Sequence, residues 1–225
     1  MAGRPCARVA TRLRDGPLTS RMERMGRTSD AKERLIHTAV GLIRARSYAA
    51  VSVDDLCRGA GVRKGSFYHF FPSKRDLALA ALDSWWESTR TELLEPTLES
   101  GESPLARITR VFERVVGQQE RHKERSGRVQ GCPLGNMALE LSAQDEVVRA
   151  RLEAIFVHFA QYFERLLEEA RRAGEVPAAT EVATTAKSLL AYLYGALLMA
   201  KTADDLQVMR DLTARALRLV HAPGA

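Results

Sequence analysis

The stretch Ser52-Val-Asp-Asp-Leu-Cys-Arg-Gly-Ala-Gly-Val-Arg-Lys-Gly-Ser-Phe-Tyr-His-Phe-Phe-Pro-Ser-Lys74 reads as a helix, a tight turn and a second helix. Ser52 is an N-cap type, and Asp55 at the third helical position completes a capping pattern. Gly59 and Gly61 close this first helix almost at once. Gly61 sits where the chain reverses, and Ala60 is small enough for two helices to approach. Val53, Leu56, Val62 and Phe67 clamp the pair, and Pro72 ends the second helix. That leaves Arg63, Lys64, Ser66, Tyr68 and His69 facing outward. Cations and hydroxyls suit phosphate, and both cations and an imidazole suit base edges in a DNA major groove. Gly65 lets the helix backbone come close to DNA. Ser52 at the head of the unit and Lys74 beyond it complete the candidate DNA-binding set.

The resemblance is equally specific. From Ala31 to about Ala81 the chain resembles the DNA-binding domain of TetR/AcrR-family transcriptional regulators. The Gly65-Ser-Phe-Tyr-His-Phe-Phe-x-Ser-Lys-x-x-Leu77 ending carries most of the likeness. By the family pattern Arg63, Lys64, Ser66, Tyr68, His69 and Lys74 fall at DNA-contacting positions. Cys57 stands where alanine is more usual, a small core change. The resemblance implies an all-α homodimer in which three N-terminal helices bind a palindromic double-stranded DNA operator. A C-terminal domain would then bind a small-molecule inducer and release the DNA.

Charge follows the same division. Residues 1–28 hold seven arginines against two acids, residues 29–76 nine bases against five acids, and the rest eighteen against twenty-one. A basic front on a near-neutral body points to a polyanion partner for the front alone. A solvated basic tail is the plainer alternative. Residues 1–28 show no apolar period and read as a disordered basic extension. Residues 29–76 read as the helix-turn-helix domain, and residues 77–225 as the ligand-binding and dimerisation domain.

Helical periodicity runs through nearly all of the chain. Leu35, Ile36, Ala39, Val40, Leu42 and Ile43 mark a first helix that starts near Ser29. A longer helix capped by Ser73 runs on past Trp86. Leu105 to Val115 mark another, fading within Glu120–Arg128, and residues 136–142 form a short one. Val148, Leu152, Ile155, Phe159, Tyr162 and Leu166 line a long helix stopped by Gly174 and Pro177. Helices from Thr180 to Lys201 and from Asp204 to Val220 complete about nine, with no strand. The last two are apolar over a wide arc, which points to a twofold homodimer formed through them.

The ligand side rests on Gly131-Cys132-Pro-Leu-Gly-Asn136-Met-Ala-Leu-Glu140. It is similar to a Gly-Cys-x-x-x-Asn-x-x-x-Glu stretch in a subset of TetR-like regulators, where it borders the inducer cavity. Asn136 and Glu140 are four apart and share a helix face. Cys132 lies at that helix's N-terminus, where the dipole favours a thiolate. An electrophile or redox sensor acting through Cys132, aided by Lys201 or His158, is therefore an alternative to non-covalent induction. A buried structural cysteine is a third reading. His158, Phe159 and Tyr162 are candidates for the pocket wall, with core packing as their alternative.

Several function classes are set aside. No apolar run reaches the ~18 residues of a membrane span, the longest being Ser188–Ala200. Three cysteines without C-x-x-C spacing give neither a disulfide framework nor a zinc site, and a reducing cytoplasm fits them. No hydrolase, zincin, phosphate-loop or dinucleotide motif is present, so neither an enzyme, a metal nor a cofactor is expected.

Overall fold

The computed structural model describes residues 17–220, with side-chain surroundings from Asp30 onward. Its described residues are all helix and loop. In order they are α1 (Pro17–Ala45), α2 (Val53–Ala60), α3 (Lys64–Phe70), α4 (Lys74–Thr89) and, after a π-helical turn at Arg90–Leu94, α5 (Glu95–Leu98). Then come α6 (Pro104–Ser126), α7 (Pro133–Leu141), α8 (Glu146–Arg172), α9 (Val182–Ala203) and α10 (Leu206–Thr213), closing on a 3-10 turn at Ala216–Leu219. Counting α4, the π turn and α5 as one rod gives the nine helices anticipated.

Two boundaries differ from the sequence reading, the start of α1 and the end of the last helix. α1 starts at Pro17, so residues 17–28 of the expected disordered extension are helical backbone, while residues 1–16 lie outside the described residues. α6 ends at Ser126, inside the charged stretch where the sequence has it fade, because Gly127 at φ 76° supplies the left-handed C-cap there. The last helix stops at Thr213 and continues only as the 3-10 turn Ala216–Leu219.

The N-terminal unit is built as its sequence dictates. Ser52 Oγ accepts the Asp55 N–H while the Asp55 side chain accepts from Ser52 N–H, a full capping box. Gly61 takes φ 63° between α2 and α3, a conformation open to glycine without strain. Gly59, not only Ala60, permits the close helix approach: a Cβ there would meet Thr38 Cγ2 of α1 at 2.7 Å. Leu35, Leu56, Phe67, Leu77 and Leu82 are fully buried between α1, α2, α3 and α4.

This core does not end with α4. Leu134, Met137 and Leu141 of α7, with Val148, Leu152 and Ile155 of α8, belong to the same buried cluster. A second cluster joins α6, the distal half of α8, α9 and α10 through Phe112, Phe163, Leu167, Leu189 and Met209. α7 therefore packs directly on α1 and α4 of the N-terminal unit. The excess apolar surface of the last helix is buried within the chain, since Leu206 and Met209 are sealed against α6 and α9. α9 is long and apolar enough to cross a membrane, and seven of its residues, from Ala186 to Ala200, are buried where it packs on α8 and α10.

Candidate nucleic-acid interface and ligand cavity

α3 presents the surface its sequence promised. Phe67 anchors it with no exposed area, and its ring meets Tyr68 edge-on at 5.1 Å. Arg63, Lys64, Gly65, Tyr68 and His69 are exposed and Ser66 is half-buried. Tyr68 is 52% exposed, far more than packing alone would leave an aromatic ring. A Cβ on Gly65 would meet nothing within 4 Å, so nothing inside the chain requires a glycine there. Lys64 pairs with Asp54 of α2 at 3.0 Å, and this contact raises its pKa. Both groups are exposed, so a phosphate can compete for the ammonium.

Two members of the predicted set are otherwise engaged. The Ser52 hydroxyl serves the cap and donates to Asp55 at 2.6 Å. The Lys74 ammonium turns inward, donating to the carbonyls of Tyr48 and Val51 at 2.8 Å each and lying 3.9 Å from the Tyr48 ring centre. It holds the loop that leads into α2, and its burial lowers its pKa.

That loop is gripped from the other side by α7. The two Glu140 oxygens accept the N–H groups of Tyr48 and Ala49, both at 2.6 Å. One turn earlier, Asn136 Nδ2 donates to the carbonyls of Ile43 and Arg44 at 3.1 and 3.0 Å, capping the end of α1. Asn136 Oδ1 accepts from Lys201 Nζ of α9 at 2.9 Å. Asn136 and Glu140 thus share one face of α7, as their spacing requires, and that face reads the end of α1.

Two cavities meet at Cys132. The larger, about 160 Å³, lies between α7, α8 and α9 and is bordered by Cys132, Asn136, Phe156, Tyr194, Leu197 and Lys201. The smaller, about 40 Å³, is bordered by Arg44, Trp85, Gln119, His122, Cys132 and Phe159. The Arg44 guanidinium approaches His122 Nδ1 at 3.3 Å. Burial, then Arg44, Arg125 and Arg121, push His122 down to about 4. Gln119 is buried, and while its amide donates to Gly131 O at 3.1 Å, its Oε1 has no partner among the described residues.

Among the predicted ligand residues, Cys132, Asn136 and Phe159 border these cavities. Glu140 serves the loop instead. His158 is exposed and stacks on Trp86 at 6.2 Å. Tyr162 is core, its hydroxyl donating to the Leu94 carbonyl. Arg44 and Gln119 carried no signal in sequence, because each acquires its place only by packing, whereas Gly131 heads the motif already read there. Gly135 and Leu134 backbone groups and the Tyr194 hydroxyl favour ionisation of Cys132, but burial outweighs them and pushes the thiol up.

A helix-turn-helix with an exposed basic second helix, packed on a cavity-bearing helical body, defines a DNA-binding transcriptional regulator. Residues 35–81 match the family described as bacterial regulatory proteins, tetR family. Residues 104–216 match the tetracyclin repressor-like C-terminal domain. The chain belongs to the TetR family. The transcriptional regulator AcuR of Cereibacter sphaeroides is 31% identical over 171 residues, covering 76% of each chain. The transcriptional repressor NemR of Escherichia coli is 26% identical over 86% of this chain and 96% of that one. A crystal structure of a regulatory protein TetR from Rhodobacter sphaeroides superposes with a TM-score of 0.77 at 28% identity, covering 84% of this chain and 98% of that one.

Proposed function

We propose that this protein is a cytoplasmic homodimeric repressor that leaves a palindromic operator when a small-molecule inducer enters the cavity beside α7. The carrying observation is the Asn136 side chain, which is bonded at once to Lys201 at the cavity and to two carbonyls at the end of α1. A ligand that moves α7 or Lys201 acts on α1 directly, and the inducer must bind the DNA-incompetent arrangement more tightly. Arg63, Lys64, Ser66, Tyr68 and His69 contact the major groove. Gly65, open on its outer side, supports a close approach of the helix backbone to DNA.

The dimer forms through α8 and α9 rather than α9 and α10. Val157 on α8 and Leu198 and Met199 on α9 are 48%, 51% and 56% exposed, whereas the apolar residues of α10 are covered. Two recognition helices in such a dimer stand about 34–36 Å apart, one turn of B-DNA. A footprint of the purified protein on DNA upstream of its coding region tests the reading. Protection with inverted-repeat symmetry, weakening steeply with salt, is the expected result. A folded dimer that protects nothing there or in fragments selected from the whole genome refutes it.

A second reading, an electrophile or oxidant sensor, is favoured by Cys132 facing the larger cavity together with Lys201. The raised thiol weighs against it at neutral pH, because the thiolate is the nucleophile.

A further inference from the structure

The larger cavity is chemically one-sided. Among the described residues no Asp or Glu borders it, while Lys201 places an ammonium in its wall. That ammonium has one acceptor, the neutral Asn136 Oδ1 at 2.9 Å, and no carboxylate within 4.0 Å among the described residues. Its stem is held against Gly131, where a Cβ would come within 3.1 Å of Lys201 Cδ. The Tyr194 hydroxyl has, among the described residues, only the Cys132 sulfur at 3.9 Å. The remaining wall is hydrocarbon from Phe156, Leu197 and Leu198.

We infer that this cavity receives a small organic carboxylate, its oxygens on Lys201 Nζ and the Tyr194 hydroxyl and its hydrocarbon part against Phe156 and Leu197. A half-buried cation with no counter-charge gains most from an anion that also displaces water from apolar walls. Strongly hydrated multivalent anions are disfavoured, because two donors cannot replace their hydration. The volume, about 160 Å³, resembles cavities of about 150 Å³ that accept benzene, so the body is about the size of one six-membered ring. This rests on the repressor reading for its consequence: a carboxylate on Lys201 competes with Asn136 Oδ1 and loosens the hold of Asn136 on α1.

Titration calorimetry of the full-length protein with benzoate, butyrate and their uncharged amides tests the site without DNA. Either carboxylate should bind at least tenfold more tightly than its amide. Lys201→Met should erase that preference, Lys201→Arg should keep it, and Tyr194→Phe should weaken the carboxylate severalfold. Equal binding of acid and amide, no binding of either acid, or a preference that survives Lys201→Met overturns the inference. Anisotropy on the footprinted DNA separates the two readings. Carboxylate binding without DNA release sinks the inducer reading and leaves the site. DNA release by the amides alone sinks the site and leaves the regulator.

Discussion

Replacing Glu140 by Gln tests whether α7 truly grips the helix-turn-helix. The carboxylate accepts two backbone N–H groups at 2.6 Å, from Tyr48 and Ala49. An amide offers one oxygen and turns an N–H toward the other donor, so one bond is lost and a donor is opposed. Hydrogen bonds to a charged acceptor are worth about 1.5–3 kcal/mol each, and partial exposure of this loop favours the lower end. A loss of about 2 kcal/mol for the pair follows, roughly thirtyfold in an equilibrium constant. Urea unfolding followed by circular dichroism reads it as a lower midpoint at unchanged slope. Because the bonds join α7 to the loop before α2, the variant should also need more ligand to release DNA, by a factor within the usual 5–150-fold range of allosteric coupling. A midpoint shift under about 0.5 kcal/mol, the size of an ordinary surface change, with undiminished release would refute the grip.

Other outcomes follow from the same geometry. Lys64→Ala or Tyr68→Ala should abolish operator binding and leave the dimer intact by sedimentation, since both side chains are exposed; loss of the dimer would contradict that placement. Phe67→Ala empties the centre of the helix-turn-helix, where the ring has no exposed area, and should lower stability by about 3–5 kcal/mol. His122 is neutral in the folded chain down to about 4, below its ordinary 6.5. The unfolded chain therefore binds the proton first, so stability present above pH 6.5 is lost as pH falls toward 4. His122→Gln should flatten that part of the pH profile, and an unchanged slope would show the imidazole to be solvated. Cys132, pushed up by burial, should react with iodoacetamide at pH 7 more slowly than in urea; faster labelling in the folded protein would restore the electrophile-sensor reading.

The helix-turn-helix was legible because everything that specifies it is local. The capping box spans Ser52 to Asp55, the left-handed turn needs only Gly61, and the anchoring Phe67 lies within the next helix. Exposure of Lys64, Tyr68 and His69 follows from helical period once Phe67 is known to point inward. His158 shows where periodicity fails: its position on α8 fits a pocket wall as well as a surface, and Trp86 of α4 decided the matter by stacking on it. The α10 stripe is equally ambiguous in sequence, and α6 and α9 pack against it within the chain.

Sequence alone determined the helical class, the recognition helix and the pairing of Asn136 with Glu140 on one face of α7. Those features depend on backbone propensity, capping and the 3.6-residue repeat, which act over a few residues. Tertiary structure alone decided what that face touches. Asn136 meets Lys201 sixty-five residues away and the end of α1 more than ninety away, and Glu140 reaches the Tyr48 loop across a similar span. It also decided the state of Cys132. The dipole argument was sound locally, but the burial that outweighs it comes from helices distant in the chain, and desolvation is a property of the packed whole.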